Sequence, residues 1–549
     1  MAPLRFSPMH FRSTLFSLVC AAEALFAQVD AAQFEAIKKE GFEKSRVMAH
    51  LDHLVNRIGP RLTSSDNLTI ACEWARDSFA AMGLADARLE QWGEMPVGFN
   101  RGPWWGRMKA PVEKELVFGT DAWSAGTRGP ARGPVLASPK DEDELAAMRD
   151  KFQGAWVIDV PGAMLTKVAD AIEQHGGLGI VASTRDHLVQ TSGNSRVNWE
   201  DLPRTPVIRL LKKQFDEIRA LLSEGKPVEV EFDVQNHFRK GPIPQFNVIA
   251  DIRGTEKPDE YVVVGGHIDS WDGASGTTDN GTGTATTMEA ARILMAIGAK
   301  PRRSIRFMLW GGEEQGLLGS RAWVQAHKDE MNMYSACLVH DGGTNYVSGI
   351  AGMKEMRPQL ETAFEHVLKM GGDLKFGIRE IDAFRPIGSD HEAFTAVGVP
   401  GFFWDQAGRA DYNHTHHTQY DTYAAAIPEY QMHTAVVVAT GALGLANLPE
   451  MLTRENMKVE RGFGGMRNRS RRMLGVTLGD DGVSISGVED GSVAAKAGIK
   501  AGDKLVQIDD AKIASQDDLR RALAAGGVEK AIVVLRAGAE VKVQAKFER

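Results

Sequence analysis

Several apolar runs in the middle of the chain end in groups that could hold a cation or move a proton. The run 261–264 leads through Gly265 and Gly266 into His267-Ile268-Asp269. Alternate residues of an extended chain share a face, so Asp269 can support the His267 ring, as a carboxylate often does when it accepts the second N–H of a ligating imidazole. Asp279 follows in Thr278-Asp279-Asn280-Gly281-Thr282-Gly283. The glycines let backbone approach a site, and a carboxylate placed there could bridge two cations. The run 304–310 ends in Gly311-Gly312-Glu313-Glu314. Two adjacent carboxylates repel unless cations or separate tasks divide them, and one ligand plus one base is the economical division. The run 336–340 ends in Asp341-Gly342-Gly343, and His414, His416 and His417 stand ahead of Thr418-Gln419-Tyr420-Asp421-Thr422. Carboxylates and imidazoles together suit zinc, at bond lengths of about 2.0–2.2 Å.

Taken singly, an Asp after a strand is a helix cap or a turn, and a histidine cluster is an exposed loop. The joint occurrence at successive strand ends is what points to a site. Residues 245–449 alternate strand-like and helix-like patterns, which predicts a mostly parallel sheet with helices on both faces. Such sheets hold ligands beyond the C-terminal ends of their strands. An amphipathic helix is expected over 65–82 from Leu68, Ala71, Trp74, Ala75, Phe79 and Met82, with Gly83 as its stop. It follows a turn-rich connection, Ile58-Gly59-Pro60-Arg61-Leu62-Thr63-Ser64.

These motifs resemble the di-zinc exopeptidase family that contains bacterial leucyl-type aminopeptidases, glutamate carboxypeptidase II and carboxypeptidase Q, the last type being the nearest likeness. The match runs from Ile58-Gly59-Pro60-Arg61 to about Pro449. The resemblance implies two zinc ions per chain: His267 and Asp341 on one, Glu314 and His417 on the other, Asp279 bridging. It also implies that Asp269 orients His267 and that Glu313 is the catalytic base. His417 is preferred to His416 because His417-Thr418-x-x-Asp421-Thr422 is the family pattern, with His416 where a Tyr often stands. Asp390 and His391, in Ser389-Asp390-His391, fit a segment near the substrate, and they join His416 as substrate-binding candidates. The implied activity is hydrolysis of short peptides or dipeptides, as aminopeptidase, dipeptidase or carboxypeptidase. The rivals are a single-zinc acyl transferase of the glutaminyl-cyclase type, a non-catalytic receptor, and a peptide-binding scaffold.

The chain has 549 residues, more than one core normally organises, so several domains are expected. The peptidase fold is expected over 28–115 and 240–450. Between them, 116–239 alternates short apolar runs with Gly/Pro turns and resembles a small α/β protease-associated domain, which implies a lid or substrate-selecting insert. Residues 451–472 read as an Arg/Gly-rich linker. Residues 473–549 resemble a PDZ domain, with Leu474-Gly475-Val476 in the place of the loop that holds a peptide's C-terminal carboxylate.

Composition narrows the remaining classes. Apolar residues make up 43% and charged residues 25%, an ordinary globular balance. The net charge of -8 comes without a clustered basic face, which excludes a nucleic-acid partner. Arg5 and Arg12 precede an apolar stretch over 15–27 that ends in small residues, so 1–27 reads as an export signal and the chain as periplasmic or secreted. No other run approaches the roughly 20 apolar residues of a membrane span. Cys72 and Cys337 read as buried thiols, and nothing in the pattern fixes an oligomeric state.

Overall fold

The computed structural model describes residues 29–185, 187–460, 474–479, 482–488, 492–513, 518–519, 522–523 and 529–547. The expected export signal and most of the expected linker lie outside the described residues. The described residues form two compact units, one within 29–384 and 388–458 and the other made of 385–387 with the described residues after 458.

In the first unit the predicted helix forms as Asp66–Ala81, and its start is set by Ser65, whose side chain accepts the Leu68 N–H at 3.1 Å. Such a cap contributes about 1 kcal/mol. Leu68, Ala71, Cys72, Ala75 and Phe79, spaced three or four apart, are its buried stripe. One mixed sheet follows the order Gly401–Phe403, Tyr334–Val339, Lys257–His267, Arg303–Trp310, Glu229–Ile252 and then Ala131–Ala137, Trp156–Ile158, Gly179–Ser183, Val207–Leu210 and Phe118–Gly119. The first four strands run parallel, and every residue of Arg303–Trp310 is buried, as a central strand covered on both faces requires. The helices Thr282–Ala296 and Pro428–Asn447 supply apolar cover, and the latter is buried over almost its whole length. It packs closely enough that a Cβ on Gly444 would lie 2.1 Å from the Ala363 carbonyl oxygen.

Glu229–Ile252 ties the sheet together, because its late residues pair with Arg303–Trp310 and its early residues with Ala131–Ala137. The boundary expected at residue 239 falls inside this strand. Along its length it also pairs antiparallel with Ala85–Ala110, from Ala85 opposite Asp251 to Ala110 opposite Glu229. The ribbon joins the large core around Val264, Phe307 and Leu338 to a second core around Trp156, Phe232, Ile208 and Phe215. Among the described residues no helix is long and apolar enough to cross a membrane. Cys72 and Cys337 are free and buried.

In the second unit, Val476–Leu478 pairs with Ile485–Val488, and a four-stranded sheet contains Ala511–Lys512, Lys504–Ile508, Glu529–Arg536 and Ala539–Lys546. Leu474, Ile485, Leu505, Ile532 and Val534 form its core. Asp503 and Arg536 are joined by two hydrogen bonds of 2.7 Å. In the expected carboxylate loop the Leu474 side chain is buried, its carbonyl accepts the Ala494 N–H, and Gly475 has φ +75.

Candidate metal centre

Lys257–His267 lies between Tyr334–Val339 and Arg303–Trp310, all parallel, so their C-terminal ends open side by side. His267 closes the central strand, Asp341 follows one neighbour, and Glu313 and Glu314 follow the other. Asp279 enters from the turn before Thr282–Ala296. That turn sits tight against the sheet: Asn280 donates to the His340 carbonyl at 2.8 Å, and a Cβ on Gly283 would lie 2.2 Å from the same oxygen. Glycine is required there by close approach.

The side chains converge on Asp279. His267 Nε2 is 3.1 Å from Asp279 Oδ1 and 3.1 Å from Asp341 Oδ1. His417 Nε2 is 2.8 Å from Asp279 Oδ2 and 3.0 Å from Glu314 Oε2. Glu313 and Glu314 diverge, since Glu313 Oε2 is 4.0 Å from His267 Nε2 while Glu314 turns to His417. Four donors about 2.1 Å from a tetrahedral cation stand about 3.4 Å apart, so these spacings are a few tenths of an ångström from a ligand shell. Two overlapping groups, His267 with Asp279 and Asp341, and Asp279 with His416 and His417, each gather their ligand atoms within 4.8 Å. His416 Nε2 is 3.4 Å from Asp279 Oδ2, and its ring stacks on His417 and Tyr412. His414 turns away and stacks on Tyr420.

Asp269 does not meet the His267 ring as the alternation predicts. His267 Nδ1 is 3.0 Å from the Asp269 main-chain carbonyl, and the Asp269 carboxylate stands back at 3.6 Å. The carboxylate instead accepts the Glu313 N–H at 3.1 Å, the Glu314 N–H at 3.3 Å and the Thr63 hydroxyl at 3.0 Å. It thereby fixes the turn that carries both glutamates. Asp390 and His391 are 0% and 3% exposed, and neither joins the five converging side chains. Burial raises the Asp390 carboxyl to about 7, and its charge is felt by Glu313.

Three further residues hold the site, and of these Asp421 stands in the motif His417-Thr418-x-x-Asp421-Thr422, Arg61 in the turn-rich connection 58–64 and Trp271 in neither. Asp421 accepts the Thr278 N–H and, at 3.2 Å, the Asp279 N–H. Trp271 N–H donates to Glu314 Oε1 at 3.2 Å, leaving Oε2 for His417. Arg61 is fully buried and donates to the carbonyls of Ile268 (2.7 Å), Gly276 (2.8 Å), Ser275 (2.9 Å) and Gly59 (3.1 Å). It staples the His267 loop to the Asp279 loop, and burial lowers its guanidinium to about 10. Each carbonyl left without a donor costs about 1–3 kcal/mol, so Arg61→Leu is expected to lose about 3 kcal/mol or more. Tryptophan fluorescence during urea unfolding reads this in the first unit, because all 11 tryptophans precede residue 405.

The electrostatics are those of a site built for added positive charge. Burial, reinforced by Asp279, raises Glu314 to about 8 against the pull of His417. Burial also raises Glu313, helped by Asp341 and Asp390. Burial opposes protonation of His417, but Asp279 and Glu314 outweigh it and lift the imidazole to about 10. Asp421 is raised to about 7 by burial and by Asp279. An unfolded Glu releases its proton near about 4.3 and an unfolded His near about 6.5. For each raised group the folded chain therefore holds a proton that the unfolded chain has released, so stability is lost as pH rises through the folded value. Asp421 acts up to about pH 7, Glu314 up to about 8 and His417 up to about 10, all in one direction. The lowered values of buried His340 and His433, about 4 each, act in the opposite sense below pH 7, so chelator-treated protein is expected to melt at progressively lower temperature from pH 7 to 9, and a restored divalent cation to flatten that fall. A thermal-melt series with and without cation checks it.

This fold and this acidic, histidine-bearing centre define a metallopeptidase. Residues 247–441 match the sequence profile of peptidase family M28, and residues 484–536 match that of the PDZ domain. Carboxypeptidase Q of Homo sapiens is 25% identical over 438 residues, covering 75% of this chain and 88% of that protein, and carboxypeptidase Q of Mus musculus is 25% identical over 441 residues with the same coverage. Among solved structures, a peptidase M28 precursor from Shewanella amazonensis SB2B superposes with a TM-score of 0.55 at 23% identity, covering 76% of this chain and 97% of that one.

Proposed function

We propose that the chain is a two-zinc exopeptidase acting on short peptides or dipeptides. One zinc is held by His267 and Asp341, the other by Glu314 and His417, with Asp279 shared. The observation that carries this reading is that the two oxygens of Asp279 face two different imidazoles, at 3.1 and 2.8 Å. A one-zinc centre has no use for such a bridge.

Two zinc ions supply Lewis acidity, which makes a water nucleophilic at neutral pH and polarises the scissile carbonyl. Glu313 would take the proton from that water at its carboxylate and give it to the departing amine. Asp269 keeps Glu313 and Glu314 apart by holding both of their amides. The adjoining pocket is lined by Thr191, Trp271, Ala274, Thr418 and Asp421 beside Asp279, Glu314 and His417.

The chain is proposed to act outside the cytoplasm, on the strength of the basic and apolar pattern over 1–27. The PDZ domain is proposed to take a peptide C-terminus. Metal analysis is expected to give two zinc ions per chain, and free dipeptides should be cut far faster than N-acetylated, C-amidated peptides. One ion in active protein, or equal rates on blocked peptides, would overturn the proposal.

A further inference from the structure

Two segments far apart in sequence are laced together beside the His417 ring. Residues 189–191 belong to the part of the chain that carries the second core, between Gly179–Ser183 and Val207–Leu210. They run antiparallel to residues 417–419, with Gln190 opposite Thr418. Thr191 N–H donates to the His417 carbonyl at 2.9 Å, and Gln419 N–H donates to the Val189 carbonyl at 3.0 Å. Val189 N–H donates to Gln419 Oε1 at 2.8 Å.

The far side of the segment is also tied down. Ala122 N–H donates to the Ser192 carbonyl at 2.8 Å, the Ser192 hydroxyl to Asp121 at 2.7 Å, and Arg209 grips Asp121 at 2.9 and 2.6 Å. His417 needs such a brace because its φ is +54, a left-handed conformation that costs a side-chain-bearing residue about 1–3 kcal/mol and persists only when its surroundings impose it. Thr191 also borders the pocket, packed so tightly on Gly273 that a Cβ there would lie 2.1 Å from Thr191 Cγ2.

We propose that Gln419 is a positioning residue through which segment 189–191 holds His417 ready to ligate, so that filling of the His417 cation site depends on that segment. The inference rests on the two-zinc reading. Coupling of this kind is reciprocal: if the segment steadies the cation, the cation steadies the segment.

The test uses the full chain stripped of metal and titrated calorimetrically with zinc. Wild type takes two ions. Gln419→Ala, which deletes the acceptor for the Val189 N–H, is expected to keep one ion at wild-type affinity and to bind the other about 10–100-fold more weakly, as when an outer-shell partner is lost. Excess zinc should restore its kcat with little change in KM. Gln419→Glu keeps an acceptor oxygen and should bind nearly as wild type, and Arg196→Ala, on an exposed residue of the same region, should match wild type. In wild type, amide exchange at Val189 and Thr191 should slow as the second ion binds, a measurement that stands even if Gln419→Ala fails to fold. Wild-type affinity for both ions in Gln419→Ala, or exchange indifferent to the second ion, overturns the inference. A wild-type chain that takes fewer than two ions overturns the reading beneath it instead.

Discussion

Glu313→Gln is expected to lower kcat by about 10²–10⁴ while leaving two zinc ions and the fold in place, because proton transfer by a positioned carboxylate contributes about that factor. Glu313 Oε2 stands 4.0 Å from the nearest imidazole nitrogen, whereas Glu314 Oε2 stands 3.0 Å from His417. The turn carrying them is held by its amides on Asp269, so an amide in place of the carboxylate has no reason to disturb it. Glutamine keeps the length and the hydrogen-bonding capacity of the side chain but cannot accept a proton at neutral pH. KM should change little, since the lost interaction belongs to the transition state. Glu314→Gln should behave differently, with zinc lost first from the His417 site and activity recovering in excess metal. Metal content and steady-state kinetics on the pair decide the matter: zinc lost from Glu313→Gln and retained by Glu314→Gln would exchange the two roles.

The second large effect is expected at Asp279. Its oxygens serve His267 on one side and His417 on the other, and its N–H is pinned by Asp421. Asp279→Asn keeps the volume but leaves one acceptor oxygen, and the NH₂ can only donate. It should bind one zinc at best, with kcat/KM down by at least about 10³, which at roughly 1.4 kcal/mol per decade is about 4 kcal/mol of transition-state stabilisation. Cobalt titration followed in the visible range counts the ions. Two retained ions with normal spectra would mean that Asp279 bridges nothing.

Local sequence carried the strand ends well, because glycines flank His267, Glu313 and Asp341 where buried runs stop, and the folded chain does bring these residues together with Asp279 and His417. The helix Asp66–Ala81 was legible from the spacing of Leu68, Ala71, Ala75 and Phe79, and Ser65, counted inside the expected helix, is its cap. Other features depend on distance along the chain. Arg61 looks like part of a turn until its partners at residues 268, 275 and 276 are in place. Asp269 has the right spacing to face the His267 ring, yet two amide donors in the next loop compete for its carboxylate. Ala85–Ala110 contains Pro96, Gly98, Gly102 and Pro103, a composition that suggests loop, and it is a strand only because Glu229–Ile252 pairs with it.

That ribbon also governs where the protein can change length. Ala110 lies opposite Glu229, so the chain leaves the ribbon and returns to it at one place. To the large core, residues 111–228 have the topology of a hairpin loop. Apart from residues 189–191, which are bound to 417–419, segments can lengthen, shorten or be exchanged there without altering which residues of the two arms face the core, and the added entropy of a longer loop grows only logarithmically. Within the arms the rule is opposite: one inserted residue turns every later side chain to the other face unless a bulge absorbs it. Insertions and deletions among homologous chains should therefore collect between the arms and spare them.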